Sequence, residues 1–447
     1  MLNYKKVLHK NPLYRLGRIF LTDFWFNKIF FRQVKVIGKQ NIPKGKPVLI
    51  APVHRNAMVD DMAVLTTRND NPVFLARADI FKKKFLARVF IFFRMVPVFR
   101  IRDGKESLKS NDMTFDVGSY VLEKDQVLIV FPEAAHINKN QMLPLKKGAI
   151  RIVFFAAEKT NFQKDIYLIP TGLYYDNIYN YRHKALVIYG KPINILDYKD
   201  LYKENKQKAM LKVREDLNKA LIDLSIHIED DKYYEQINKS REIFDSLVAE
   251  KLQKKIKKID EKFLVDKVIV DVLEKISKEK EEDFIPFAEK VDIYTKELDK
   301  HRLKDYLFEK PMKIINLLLF SILLILFFPL YIVSWINFII PVCLPELIVK
   351  KFKDEIFHGS VRYGASLIFT FLWGLIGGVI LAFILSWWIG LLFFLLQPVL
   401  FVFWLDYTRY LKKVLANWRF IFNRNKYNYL YDLRKELIDD FLTFYKN

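Results

Sequence analysis

The sequence predicts an α/β domain with a mixed sheet flanked by helices, followed by charged helices and a helical transmembrane region. Between residues 34 and 192, short apolar runs alternate with helix-length segments, which is typical of a sheet with helices packed on it. Residues 200–310 interleave charges of both signs with apolar residues three or four positions apart. Residues 314–345 and 365–405 are almost free of charge, and each exceeds the roughly 20 apolar residues that cross a bilayer.

Composition indicates several units and a membrane protein. A chain of 447 residues is too long for one compact core, so two or three units are expected. The formal net charge of +22 suits either nucleic acid or an anionic membrane. Because the positive residues repeatedly flank the apolar tracts, we expect a phospholipid membrane as partner and no nucleic acid. The single cysteine, Cys343, rules out an internal disulfide.

The first element, residues 1–33, is predicted to be an interfacial amphipathic helix. Its apolar side chains over residues 13–31 are mixed with Arg15, Arg18 and Lys28, and Trp25 lies among them. Flanking cations and a tryptophan are typical of a helix that lies in the membrane interface. An amphipathic helix packed on the following domain is the alternative. No signal peptide is recognisable, so we expect the soluble part in the cytoplasm.

Residues 34–228 are predicted to form the α/β domain. Strands are predicted at residues 34–37, 48–52, 73–75, 96–100, 127–131, 166–172 and 185–189. Helices are predicted at residues 82–93, 106–123 and 148–159. In such a fold, chemistry collects at the strand ends.

The remaining chain is divided into a charged helical segment (229–310), a transmembrane region (311–410) and a cytoplasmic C-terminal helix (411–447). Lys350 lies among cations between the two apolar tracts, and Arg409 lies among those that follow the second tract. Since positive charge stays cytoplasmic, each tract should cross the membrane an even number of times. We therefore predict two hairpins instead of three single crossings. A re-entrant first tract, interrupted by Pro329 and Pro341, is the alternative.

The candidate catalytic pair follows the second predicted strand. His54 stands where an apolar run meets a polar turn, and Asp60 and Asp61 follow it. An imidazole is suited to general-base chemistry near neutral pH, provided that a carboxylate orients it. A continuous helix from His54 would keep both carboxylates out of reach. The contact needs a turn and a helix that begins near residues 56–60, and we assign it to Asp60, with Asp61 as the alternative.

Three further blocks follow His54 in order: Phe-Pro-Glu at 131–133, Leu-Pro-Leu-Lys-Lys-Gly-Ala at 143–149, and Ile-Pro-Thr-Gly at 169–172. Together the four blocks resemble the glycerolipid acyltransferases, which acylate glycerol-3-phosphate and lysophosphatidic acid. The resemblance implies that His54 is the general base and that the substrate hydroxyl takes the place of a triad serine. Five residues separate His54 from Asp60, where the common motif has four. The yeast-type glycerol-phosphate and dihydroxyacetone-phosphate acyltransferases resemble the five-residue form.

The resemblance also implies a site for the acceptor's phosphate. In Pro-Val-Phe-Arg-Ile-Arg-Asp-Gly at 97–104, Arg100 or Arg102 matches the arginine that binds this phosphate in the family. A guanidinium donates two parallel hydrogen bonds to a phosphate. Lys146 and Lys147 precede a predicted helix, whose N-terminus favours an anion. Glu133 is expected to order this pocket without reacting, and the Ile-Pro-Thr-Gly block is expected to be structural.

One block departs from the family pattern. The usual form is Phe-Pro-Glu-Gly, but Ala134 replaces the glycine and His136 stands near the usual cation. His136 is therefore a further catalytic candidate. The altered loop motivates two alternatives: an acyltransferase for an amino-acid lipid or other lysolipid, and a catalytically inactive membrane scaffold.

The function implied is a membrane-bound O-acyltransferase of phospholipid biosynthesis in the inner or plasma membrane, with a cytoplasmic catalytic domain. Acyl-CoA or acyl-ACP would be the co-substrate, which makes acyl carrier protein a candidate partner. The sequence has no Gly-x-Ser-x-Gly elbow, His-Glu-x-x-His pair or Cys-x-x-Cys pair, so we expect no metal and no cofactor. It does not choose between glycerol-3-phosphate and lysophosphatidic acid.

Overall fold

The computed structural model describes residues 8, 11–98, 107–133, 135 and 137–446, which divide into two compact units. Unit 1 comprises the described part of Met1–Ser225 together with Asp354–Ser360. Unit 2 comprises Ile226–Lys353 and the described part of Val361–Asn447. The short segment Asp354–Ser360 thus belongs to the N-terminal unit, although its sequence neighbours on both sides belong to unit 2.

Unit 1 is built on a mixed sheet. Its strands are β1 (Phe31–Ile37), β2 (Val48–Pro52), β3 (Val73–Arg77), β4 (Met95–Val98), β5 (Val127–Ile129), β6 (Tyr167–Tyr175), β7 (His183–Tyr189) and β8 (Ile193–Asn194). Within the described residues the order is β1-β7-β6-β2-β5-β3-β4, and β8 pairs with β6. β7 and β8 run antiparallel to β6, whereas β2 runs parallel to both β5 and β6. The predicted fold class, a mixed α/β sheet flanked by helices, is confirmed.

Helices connect these strands. They are α1 (Pro12–Ile19), α2 (Ala57–Thr66), α3 (Lys84–Phe92), α4 (Ser107–Glu123), α5 (Gly148–Lys159), α6 (Lys199–Glu204) and α7 (Lys206–Asp223). β2 is buried along its whole length, which explains its uninterrupted apolar sequence. The predicted α5 is present with the predicted bounds, and it buries Ile150, Val153 and Phe154.

The N-terminal segment is helical but bipartite. α1 continues directly into a π-helix, Phe20–Phe30. One face exposes large apolar side chains, with Leu13 and Leu16 each 66% exposed. Trp25 is 3% exposed, so it packs inside unit 1 and does not lie on this apolar face. The placement of the segment in a membrane interface stays a prediction.

Unit 2 contains the charged helices that the sequence predicts. They are α8 (Tyr234–Ile243), α9 (Asp245–Lys251), α10 (Ile259–Glu279), α11 (Glu281–Lys300) and α12 (Tyr306–Glu309). The last helix, α16 (Asn428–Lys446), packs with this group, since Phe441 stacks on Phe244 with ring centroids 4.3 Å apart. Buried ion pairs also join helices of this group, such as Arg241 of α8 with Asp266 of α10 at 2.6 Å.

Three helices of the described chain are long and apolar enough to cross a membrane. They are α13 (Ile314–Val349), α14 (Ile356–Ile384) and α15 (Trp387–Phe422). The second apolar tract does form two helices that meet near Ser386, as predicted. The predicted hairpin in the first tract is wrong, because α13 is one continuous helix that includes Pro329 and Pro341. In apolar surroundings a helix retains its internal hydrogen bonds, and each proline removes only one donor.

Polar side chains link the three long helices inside unit 2. Asn337 of α13 donates to the Gln397 side chain of α15 at 2.9 Å and accepts from the Trp373 indole of α14 at 3.1 Å. Such side-chain bonds are a common means of joining helices in apolar surroundings.

Candidate active site

The carboxyl ends of three adjacent strands converge at one edge of the sheet. β2 lies between β5 and β6 and runs parallel to both, so all three strands end on the same side. His54 follows the end of β2, Glu133 follows β5, and Tyr175 is the last residue of β6. Parallel strand ends of this kind are the usual place for functional groups in α/β sheets.

His54 and Asp60 are in contact. The His54 Nδ1 atom lies 3.0 Å from Asp60 Oδ2, and Asp60 is fully buried. The turn that the spacing predicts is present: residue 55 leads to the N-cap Asn56, and α2 starts at Ala57. The carboxylate therefore reaches back over the first turn of α2 to the histidine.

The Asp60 carboxylate is held by three further donors. The backbone N–H groups of Arg55 and Asn56 each donate to Oδ2 at 2.6 Å. The Tyr175 hydroxyl donates to Oδ1 at 2.7 Å. Successive backbone N–H groups form a concavity suited to an anion, so Asp60 is fixed in position independently of the histidine.

Glu133 joins the loops after β2 and β5. Its Oε1 atom accepts from the backbone N–H of His54, and its Oε2 atom accepts from that of Leu143, both at 2.8 Å. Glu133 is 2% exposed. The His54 ring also stacks on Phe131, with ring centroids 4.2 Å apart. Backbone and ring of the histidine are therefore both fixed by the block that contains Glu133.

Two comparisons with known sequences both match this domain to acyltransferases. The family model described as Acyltransferase matches residues 33–174. An uncharacterized acyltransferase of Schizosaccharomyces pombe is 28% identical over 113 residues, which are 24% of this chain and 16% of that protein. Glycerol-3-phosphate O-acyltransferase 2 of Saccharomyces cerevisiae is 25% identical over 103 residues, which are 23% of this chain and 14% of that protein. For residues 33–174 these comparisons support a similarity to the glycerolipid acyltransferases.

Among solved structures, the crystal structure of the 1-acyl-sn-glycerophosphate (LPA) acyltransferase PlsC from Thermotoga maritima matches with a TM-score of 0.32 and 16% identity. The match covers 48% of this chain and 85% of that chain. The chain spans less than a fifth of the length of the two yeast relatives that it matches.

The electrostatics of the candidate site favour a protonatable histidine. Burial lowers the pKa of His54, but the hydrogen bond and charge of Asp60, with smaller contributions from Asp61 and Glu133, outweigh it. The net pKa of His54 is raised above the usual 6.5. With its proton on Nδ1, facing Asp60, the neutral imidazole has Nε2 as its basic nitrogen.

Asp61 lies on α2 beside Asp60. Burial and the charge of Asp60 raise the pKa of Asp61 to about 7, although the charge of His54 lowers it. No hydrogen bond between Asp61 and His54 is found among the described residues, so it is Asp60 that contacts the histidine.

The predicted phosphate-binding residues are only partly described. Arg100, Arg102 and His136 lie outside the described residues. Lys146 and Lys147 are exposed just before α5, and the Lys146 backbone N–H donates to the Pro132 carbonyl at 2.8 Å. This backbone hydrogen bond places the two lysines next to the loop that carries Glu133.

The Ile-Pro-Thr-Gly block has a structural explanation. A Cβ on Gly172 would lie 1.9 Å from the Leu224 carbonyl oxygen, so only glycine fits there. The neighbouring Thr171 carbonyl accepts from the Val53 backbone N–H at 3.0 Å, next to His54.

Two site residues were missed by sequence reasoning. Tyr175 lies beyond the predicted end of its strand, which was placed at Gly172. Arg55 was passed over although it follows His54, and its guanidinium donates to the carbonyls of Lys139 and Gln141 at 2.6 and 2.9 Å. No cluster of three or more His, Cys, Asp or Glu side chains suited to a metal ion occurs in the described part of the chain.

Proposed function

We propose that this chain is a membrane-bound O-acyltransferase that moves a fatty acyl group from acyl-CoA or acyl-ACP to the hydroxyl of glycerol-3-phosphate or lysophosphatidic acid. The observation that carries the proposal is the 3.0 Å contact between His54 and Asp60 within the residues that the Acyltransferase family model matches. General-base catalysis needs a base that is held in one tautomer, and a buried, fourfold hydrogen-bonded carboxylate provides this.

The proposed reaction has two steps. The acceptor hydroxyl oxygen attacks the thioester carbonyl carbon while His54 Nε2 takes the hydroxyl proton, and Asp60 stabilises the resulting imidazolium. The tetrahedral intermediate then expels the thiolate, which takes the proton from His54. The C–O bond of the new ester forms and the C–S bond breaks, so no oxidant or further reactant is needed.

The acceptor's head group is proposed to bind to Arg100, Arg102, Lys146 and Lys147. The exposed lysines at the start of α5 support this, since a helix N-terminus with adjacent cations attracts a phosphate. Glu133 is proposed to hold the site together without reacting, because both of its oxygens accept backbone N–H groups.

A second candidate keeps the chemistry and changes the acceptor to an amino-acid lipid or another lysolipid. The altered sequence Glu-Ala-Ala-His at 133–136 motivates it. The inactive scaffold is the third candidate.

An acceptor panel separates the three. Purified protein in anionic liposomes is given labelled acyl-CoA or acyl-ACP with glycerol-3-phosphate, lysophosphatidic acid or a phosphate-free lysolipid, and His54→Ala serves as the blank. Transfer to a phosphate acceptor supports the first proposal, and preference for the phosphate-free lysolipid supports the second. Transfer to none of them leaves the scaffold.

A further inference from the structure

The segment Asp354–Ser360 lies against the turn that carries the catalytic pair. The Ser360 hydroxyl donates to the Asn56 side-chain oxygen at 2.7 Å and accepts from the Val59 backbone N–H at 3.3 Å. Asn56 is fully buried and Ser360 is 8% exposed. Both bonds are inside unit 1, although they join residues 304 and 301 positions apart in the sequence.

These bonds replace the usual helix cap. Asn56 is the N-cap of α2, and an N-cap asparagine normally accepts the N–H of the second or third helical residue. Its side chain makes no such bond here. The N–H of the third residue, Val59, donates to Ser360 instead. The cap of the catalytic helix is therefore supplied by the start of α14.

The segment Asp354–Ser360 also contacts two other loops of unit 1. A Cβ on Gly359 would lie 2.4 Å from the Ile178 carbonyl oxygen, so the backbone there approaches the loop after β6 closely. Glu355 accepts from the Asn138 side chain at 2.9 Å, and the neighbouring Ile356 is 4% exposed. The segment thus contacts the loops that follow β2, β5 and β6.

We propose that Ser360, seated by Gly359, is a positioning residue for acyl transfer: it fixes the first turn of α2 and thereby the carboxylate of Asp60 against His54. This inference rests on the proposed function. It gives the segment Asp354–Ser360 of unit 1 a part in holding His54 and Asp60 together. Without the cap, Asn56 and Val59 each lose a buried hydrogen-bond partner, and the turn loosens.

The test compares Ser360→Ala with Ser225→Ala in the full-length protein. Ser225 is a matched control, because it is also buried in unit 1 and its hydroxyl donates to the Leu221 carbonyl at 2.8 Å. We expect kcat to fall about tenfold in Ser360→Ala, with KM for donor and acceptor unchanged. The control should stay within about twofold of wild type.

Two further readouts separate positioning from general stability. Hydrogen exchange should become faster at the amides of residues 57–61 in Ser360→Ala and stay unchanged in Ser225→Ala. The acid limb of the kcat/KM profile should move to lower pH, because His54 then loses part of its interaction with Asp60, while Asp61 and Glu133 still face it. Gly359→Ala, which pushes the segment from the Ile178 carbonyl, should reproduce both effects.

Faster exchange with unchanged kcat and unchanged pH profile would overturn the positioning role and leave the proposed function intact. Unchanged exchange and unchanged rate would show that the contact is dispensable. If the wild type transfers no acyl group to any acceptor, the proposed function fails and the inference fails with it, which wild-type activity alone reveals.

Discussion

The Tyr175 hydroxyl donates a hydrogen bond of 2.7 Å to Asp60 Oδ1, while Oδ2 of the same carboxylate faces His54. Burial, together with the charge of Asp60, raises the pKa of Tyr175 well above its usual value. The hydroxyl therefore remains a donor at any working pH. A tyrosine at the end of β6 thus holds the Oδ1 side of the carboxylate on α2, while the Arg55 and Asn56 N–H groups hold Oδ2.

Replacing Tyr175 by phenylalanine removes this donor and keeps the ring. We expect kcat to fall about tenfold with little change in KM, since the orientation of Asp60 matters to the reacting base and not to substrate binding. Steady-state acyl transfer measures both constants. Tyr174→Phe is the control, because its side chain points to the opposite face of the strand. Equal effects of the two variants would contradict the assigned role.

Replacing Asp60 by asparagine keeps the size of the side chain and removes its charge. The raised pKa of His54 should then fall, so the acid limb of kcat/KM should move to lower pH than in the wild type. The rate at the optimum should drop roughly a hundredfold or more. A pH–rate profile of both proteins measures the two effects. A profile with the wild-type acid limb would argue against the His54–Asp60 pair.

Glu133→Gln tests the bridge between the loops after β2 and β5. A glutamine side chain has one acceptor oxygen, so its amide group would face either the His54 or the Leu143 N–H, both of which are donors. We expect a loss of about 1–3 kcal/mol in the free energy of unfolding. Urea unfolding in detergent measures it. Glu158→Gln, which breaks a partly exposed ion pair with Lys206, should cost under about 1 kcal/mol.

Asp61 should make stability depend on pH. Its pKa is about 7 in the folded chain, above that of an unfolded aspartate, so the folded state binds the extra proton and loses stability as pH rises from about 4 to 7. Asp61→Asn should therefore gain more stability over wild type at pH 8 than at pH 5, by on the order of a few kcal/mol. Thermal melts at the two pH values measure this, with the exposed Asp197→Asn as control. A gain that is the same at both pH values would refute the shifted pKa.

Local patterns predicted the sheet and the centre of the site. The apolar runs located the strands, and the spacing of His54 and Asp60 required a turn and a new helix, which α2 provides. Tyr175 was missed because glycine at 172 resembles a strand end, whereas here it admits the Leu224 carbonyl.

Local sequence patterns could not predict contacts between residues that are far apart in the chain. Ser360 lies in the charged link between the two apolar tracts, where the sequence predicts no functional residue, and its bond to Asn56 joins residues 304 positions apart. The continuous α13 was missed for a related reason: its prolines suggested breaks, but apolar surroundings favour an unbroken helix.

The proposed mechanism depends on His54 as the base of acyl transfer. His183 offers a matched control, because its Nδ1 atom also lies close to a carboxylate, 3.3 Å from Asp176 Oδ1, in the same unit. The most direct measurement is acyl transfer by His54→Ala and His183→Ala beside wild type, with the preferred acceptor in anionic liposomes. We expect a fall of roughly a hundredfold or more for His54→Ala and near wild-type transfer for His183→Ala. Full activity of a folded His54→Ala protein would contradict it.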